Sequence, residues 1–246
     1  GHGDALIQLP TTEAVLFDKD GTLCRSDGYL CALAQARAQS CIELCGDPEL
    51  LTPLLRAHGI RGGRLDPAGA MAVASRHENL ISCATVVAAA GHSWGQSRRW
   101  AKAAMDRADE QLAAFKAERT PPTAGLPDLL ARLSSRGIKL AVLSSDTGPS
   151  LEAFLKAHQL RHWFSAVHGC DREPRKPDPA AVLALCDTLQ VRPERCGLIG
   201  DADDDLAMAK AAGLAWSLAY TSGWQSPLPL EGSHGSLASW DEMPEL

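Results

Sequence analysis

From residue 126 to residue 219 the chain alternates short apolar runs with helical stretches, and this alternation restricts the fold more than any other feature. Residues 126–135 carry leucines at helical spacing and lead through Gly137 to an apolar run at 139–143. A helix at 149–157 leads to a run at 165–168, and one at 178–189 leads to 197–199. A last helix at 203–212 leads through Gly213 to 215–219. Strands separated by helices pair in parallel through right-handed crossovers. With an earlier apolar run at 14–17, the expected class is α/β, a Rossmann-like doubly wound parallel sheet.

Residues 29–119 interrupt that pattern and contain no convincing strand. Helical spacing of apolar residues covers 29–44. Pro48 opens a second helix and Gly59 stops it. A third helical stretch runs from Asp66 to Ala90, broken near 77–79, with Gly91 as its stop, and a fourth covers 96–116. Tyr29, Trp94 and Trp100 are expected in the core of this part. Arg119-Thr120-Pro121-Pro122-Thr123 is a stiff return segment. The expected organisation is therefore a core of residues 1–27 and 120–246, with an inserted all-helical cap at 28–119. The tail beyond Tyr220 is rich in Gly, Pro and Ser, and 236–246 is expected to pack as a short helix.

The chain has 246 residues, is 45% hydrophobic and carries a formal net charge of -6, which argues against a nucleic-acid or anionic-membrane surface. No apolar run is long enough to span a membrane, and the first residues lack the pattern of a signal peptide. The eight cysteines are scattered without CxxC pairing, which is expected of reduced thiols in a cytoplasmic protein.

Four polar groups lie at the expected strand ends. Asp18 and Asp20 end the first strand, and two close carboxylates push their pKa values apart. One can stay ionised as a nucleophile while the other holds a proton as general acid. The same residues also suit an Asp-rich turn with Gly21 left-handed. Ser144 and Ser145 end the 139–143 strand, where a hydroxyl and backbone N–H groups can hold a phosphate oxygen or simply cap the next helix. Lys176 lies between prolines in Arg175-Lys176-Pro177-Asp178-Pro179. The two prolines that follow it make the loop rigid, so it can place a fixed charge among carboxylates or remain a surface lysine. The segment from Gly200 to Asp205 gathers Asp201, Asp203, Asp204 and Asp205, hard oxygen donors that suit Mg²⁺ or cap a helix.

Together the motifs DxDGT (Asp18 to Thr22), strand-then-Ser (Ser144), Lys-Pro-x-Pro (Lys176 to Pro179) and GDxxxD followed by AxxAG (Gly200 to Asp205, Ala209 to Gly213) resemble the haloacid dehalogenase-like hydrolase superfamily. The helical insert resembles the cap of its phosphoglycolate phosphatase and beta-phosphoglucomutase branch, as, more loosely, does Thr221-Ser222-Gly223-Trp224. The resemblance implies that Asp18 attacks phosphorus and forms an aspartyl-phosphate. Asp20 protonates the leaving alcohol and then activates water. Mg²⁺ is implied at the Asp18 carboxylate, the Asp20 main-chain carbonyl and Asp201. Asp205 is implied to orient a metal-bound water or Lys176. Ser144 and Lys176 are implied to bind phosphate, with backbone amides near Lys19 and Ser145. Asp204 departs from the pattern, as that position is often uncharged in the family; it either tightens metal binding or faces solvent.

The presence of Asp20 favours phosphoryl transfer, because dehalogenases of the family lack the second acid. Phosphonatases use a cap lysine as a Schiff base; Lys102 is a cap lysine, but in an exposed arginine-rich stretch. The expected function is Mg²⁺-dependent hydrolysis of a small phosphorylated metabolite, of the phosphoglycolate or sugar-phosphate type. The enzymatic alternative is a sugar phosphomutase, and the alternative of another class is a non-catalytic binding protein on the same fold. Substrate choice belongs to the cap, where Arg61, Arg64 and Arg98 are candidates for a second anionic group.

Overall fold

A computed structural model of the chain describes residues 6–226 and 229–246. Strand β1 (Ala14–Phe17) is followed by α1 (Asp27–Cys45), α2 (Leu51–His58), the short strands β2 (Ile60–Arg61) and β3 (Arg64–Leu65), α3 (Ala70–Val73), α4 (Arg76–Ala89) and α5 (Trp94–Leu112). Then come α6 (Leu126–Ser135), β4 (Lys139–Leu143), α7 (Gly148–Ala157), β5 (Ala166–His168), α8 (Pro179–Leu189), β6 (Cys196–Gly200), α9 (Asp203–Ala211), β7 (Trp216–Tyr220) and β8 (Ser236–Leu237). The chain divides into two compact units, Gly1–Arg25 with Pro121–Leu246, and Ser26–Thr120. Among the described residues no helix is long and apolar enough to cross a membrane.

The first unit is built on a six-stranded sheet ordered β5-β4-β1-β6-β7-β8, parallel throughout. β1 is central, and its four residues are fully buried, because helices cover both faces. Alternation still governs which face each residue serves. Val15, Phe17, Leu140 and Val142 join one cluster with Leu126, Leu129, Leu151, Phe154 and Trp240. Ala14, Leu16, Ala141 and Leu143 join the other with Val182, Leu185, Met208 and Ala209. Gly197 pairs with Trp216 in register, and a Cβ there would overlap the Trp216 ring. The winding reverses at β1: β4 and β5 lie on one side, and β6, β7 and β8 on the other. Carboxyl strand ends at such a reversal frame the usual ligand crevice of an open α/β sheet.

The second unit is a helical bundle whose core joins Ala38, Cys41, Ile42, Leu54, Cys83, Ala84, Val87, Ala101 and Ala104. Four expectations from sequence need correction. Strands do occur here: Ile60 pairs with Leu65 and Arg61 with Arg64, around Gly62 and Gly63 at φ 57° and 75°. A two-residue turn with both residues left-handed wants such a Gly-Gly pair, but two-residue strands are too short to show a period. The third helical stretch breaks at Ala74 and Ser75 rather than at 77–79, because Ser75 and Glu78 form a capping box that starts α4. Trp94 opens α5 and is exposed, whereas Tyr29 is buried and Trp100 packs against the core. Finally, 236–246 is not a helix. It supplies β8, which extends the sheet, and a 3₁₀ turn, Trp240–Glu242, whose tryptophan stacks on Tyr220 at 4.1 Å.

His58, at the end of α2, is 1% exposed. Its Nδ1 lies 3.4 Å from Asn79 Oδ1 and its Nε2 3.2 Å from Cys83 Sγ. Burial, reinforced by the nearby Arg37 charge, lowers its pKa from 6.5 to about 4. The folded state therefore refuses a proton that the unfolded chain accepts, and stability is lost as pH falls from 6.5 towards 4. Chemical denaturation at pH 7 and pH 5 is expected to show a loss of about 2 kcal/mol from this group, absent in His58→Gln. Equal pH dependence in the two proteins would refute the assignment.

Candidate active site at the carboxyl ends of the strands

Asp18 follows β1 directly, and its N–H donates to Ile199 O at 3.0 Å, so the last ladder bond to β6 fixes its backbone. Ser144 follows β4 and is held likewise by His168 O at 3.0 Å. Asp201 follows β6. Parallel strands thus bring residues far apart in sequence to one edge. The loop after β1 folds back tightly: Lys19 O accepts from the N–H groups of Thr22, Leu23 and Cys24, and Gly21 has φ 83°.

Lys176 joins these ends. Its Nζ lies 2.7 Å from Asp18 Oδ1, 2.6 Å from Asp205 Oδ1 and 3.4 Å from Leu143 O. Its side chain is only 9% exposed. Burial opposes its charge, but the two carboxylates raise its pKa, so it stays protonated. Burial also opposes ionisation of Asp18, yet the Lys176 charge and hydrogen bonds involving Asp201, Lys176 and the Lys19 backbone hold its carboxyl below the usual range. Asp205 is pushed up to about 6 by burial and the Asp18 charge, with Lys176 opposing. Asp201 is raised well above the usual range by burial and the Asp18 charge, against a hydrogen bond from Trp224.

Oxygen atoms of Asp18, Asp201 and Asp205 lie within 4.8 Å of one another. The half-buried Asp18 and the buried Asp201 and Asp205 gather beside the Lys176 ammonium, and such a set of hard oxygen donors fits Mg²⁺. The Asp20 carboxyl lies outside this trio, so the expectation of Asp20 at the metal rests on its main-chain carbonyl alone. Its carboxyl is 31% exposed, 3.6 Å from Lys19 Nζ and 3.6 Å from Cys24 Sγ.

Lys19 offers an anion its backbone amide, as expected, and not its ammonium. Its side chain is buried, with Nζ 2.9 Å from Asp146 Oδ2 and over the Phe154 ring. The ammonium is committed inward, and only the backbone amide remains for an anion. Ser150 Oγ also donates to Asp146 Oδ2 at 2.8 Å. Ser144 is buried, its Oγ accepting from the Asp146 N–H at 3.0 Å, and Ser145 is exposed. Asp203 and Asp204 are exposed at the start of α9, while Asp205 turns inward, so Asp204 faces solvent. Arg61, Arg64 and Arg98 are exposed on the helical unit, and Lys102 there pairs with Asp106 at 2.7 Å.

Two contributors escaped the sequence reading. Asp146 follows Ser144 and Ser145 without a role assigned to it from the sequence, and Trp224 was legible only as part of a loosely similar tail. The available signal for Trp224 was Gly223 before it, since a Cβ at 223 would overlap the Gly21 backbone. Replacing Lys176 by Met leaves Asp18 and Asp205 buried without their cation. Denaturation of Lys176→Met in EDTA is expected to show a loss of about 3 kcal/mol, and an unchanged midpoint would refute the ion-pair argument.

Residues 12–213 match the family model of haloacid dehalogenase-like hydrolases. A phosphoglycolate phosphatase from Rhodospirillum rubrum is 32% identical over 244 residues, covering 95% of this chain and 89% of that protein. Among solved structures, a protein described as a predicted phosphoglycolate phosphatase from Haemophilus somnus aligns with a TM-score of 0.70 at 18% identity, over 96% of this chain and 97% of its own. A HAD-superfamily hydrolase, subfamily IA, from Geobacter sulfurreducens aligns at 0.59 and 20% identity, over 94% of each chain. The matched span, the relative's coverage and the shared fold place this chain in the haloacid dehalogenase-like hydrolase family.

Proposed function

We propose that the chain, a phosphatase of this family, hydrolyses a small phosphomonoester of the phosphoglycolate or sugar-phosphate type through an aspartyl-phosphate on Asp18. The observation that carries the reading is Asp18 itself: a carboxylate at the strand end, held ionised by Lys176 beside an acid cluster suited to a cation. The similarity to the Rhodospirillum rubrum protein supports the substrate type.

In the first half-reaction an Asp18 oxygen forms a bond to phosphorus as the bond to the leaving alcohol breaks. Asp20 gives its proton to that leaving oxygen. In the second, Asp20 takes a proton from water, the water oxygen bonds to phosphorus, and the bond to Asp18 breaks, releasing phosphate. Asp20 thus ends the cycle with the proton it began with, and the partly exposed position of its carboxyl gives the attacking water access to it. Ser144, Ser145 and the Lys19 amide hold phosphate oxygens, and Lys176 offsets the charge gathered at Asp18. Mg²⁺, held by Asp18, Asp201 and the Asp20 carbonyl, supplies charge neutralisation when bound. Asp205 fixes Lys176. Arg61 and Arg64 stand opposite each other in register, an unfavourable placement for like charges that suits an anion between them. They, with Arg98, are the candidate readers of the substrate's second anionic group. The cytoplasm is the working compartment in this reading.

Phosphate release from a panel including phosphoglycolate is expected to require Mg²⁺ and to vanish in Asp18→Asn. Asp20→Asn is expected to lose about 100- to 10,000-fold in kcat with its unfolding midpoint little changed. Isomerisation of β-glucose 1-phosphate without phosphate release would overturn hydrolysis in favour of a mutase. Full turnover by Asp18→Asn would overturn the nucleophile.

A further inference from the structure

Trp224 is 2% exposed, and its indole N–H donates to Asp201 Oδ2. The other oxygen, Oδ1, meets the Thr22 hydroxyl at a longer 3.4 Å. The two oxygens of Asp201 are therefore unequal. An indole N–H only donates, and its direction is set by a ring that cannot rotate without repacking, whereas a hydroxyl can turn away.

The surrounding chain is shaped around this contact. A Cβ on Gly21 would overlap both Asp201 Oδ2 and the Trp224 ring, and one on Gly223 would overlap the Gly21 carbonyl. The segments after β1, β6 and β7 meet at this point, where Gly21 and Gly223 leave room for the carboxylate and the indole. Asp201 is itself 3% exposed and crowded by Asp18 and Asp205. Such a carboxylate needs a fixed donor on one side if it is to present its other side to a cation. Partners that hold ligating carboxylates commonly govern metal affinity by about 10- to 100-fold.

We propose that Trp224 is a positioning residue for the divalent-cation site: its indole N–H holds Asp201 by Oδ2 and orients that carboxylate towards the cation shared with Asp18. The inference rests on the reading of Asp18 and Asp201 as cation ligands, and it adds to that reading a residue from outside the acidic motifs. It also makes this indole, of the six tryptophans, the one coupled to the cation through a ligating carboxylate.

The test uses the full chain and Mg²⁺ alone, followed by calorimetric titration and by tryptophan fluorescence. Trp224→Phe keeps an aromatic ring and removes the donor. Trp240→Phe is the control, because that tryptophan is equally buried but donates to Thr123 Oγ1 at 2.8 Å. The expected result is an Mg²⁺ Kd weakened about tenfold or more in Trp224→Phe. In Trp240→Phe the Kd stays near that of the parent. The Mg²⁺-induced fluorescence change is expected to disappear only in Trp224→Phe, and kcat at saturating Mg²⁺ to recover most of its value. A Kd within twofold of the parent overturns the role of Trp224. Absence of Mg²⁺ binding by the parent overturns the cation site itself, so the two failures are distinguishable. If Trp224→Phe does not fold, the assigned Trp224 indole N–H resonance of the parent decides: it shifts on adding Mg²⁺ if the proposal holds, and stays still if it fails.

Discussion

The Lys176 ammonium, wedged between Asp18 and Asp205, is the interaction on which the rest of this edge depends. A buried ion pair roughly breaks even in stability, since desolvation offsets attraction. Its value here is organisational. Without a cation, Asp18, Asp201 and Asp205 cannot all be ionised so close together. Lys176 holds Asp18 low and opposes the rise of Asp205, while burial and the Asp18 charge push Asp201 and Asp205 up. The sheet permits this only because three connections meet at one edge: β1 delivers Asp18, β6 delivers Asp201 and leads into α9, which turns Asp205 inward, and the segment after β5 brings Lys176.

What could be read from the sequence followed from how local each signal is. The central strand was visible because Ala14-Val15-Leu16-Phe17 is buried on both faces and so reads as an unbroken apolar run. Helix starts and stops were visible where proline and glycine punctuate them, as at Pro48 and Gly59. The β2–β3 hairpin was not, because two residues per strand carry no period. Trp94 was misplaced because composition says only that tryptophan is usually buried, while its position at the open end of α5 decides its exposure. Asp18, Lys176, Asp201 and Asp205 were legible as types at spacings. Their pairings were not, since those depend on which strand ends are neighbours.

The least legible contacts depend on which strands are neighbours. Lys19 and Asp146 lie 127 positions apart, and no local pattern says that the lysine turns inward rather than towards a bound anion. The burial of Lys19 becomes intelligible once β4 is placed beside β1, for the loop after β4 then supplies Asp146, and α7 supplies Ser150 and the Phe154 ring. Trp224 depends in the same way on β7 lying next to β6.

Two lysines therefore grip the loop after β1 in different ways. Lys176 reaches Asp18 from the segment after β5, whereas Lys19 belongs to the loop itself and anchors it to Asp146. The consequence is two unlike carboxylates two residues apart. Asp18 is 12% exposed, locked against an ammonium and surrounded by other acids. Asp20 is 31% exposed and lies 3.6 Å from the Lys19 charge, a looser contact that leaves it open to solvent. In the proposed mechanism the nucleophile must stay ionised and fixed, while its neighbour must gain and lose a proton in every cycle. A symmetric pair would serve neither role well. The asymmetry comes from which lysine each acid meets, and hence from sheet order rather than from the Asp-x-Asp spacing, which treats the two acids alike.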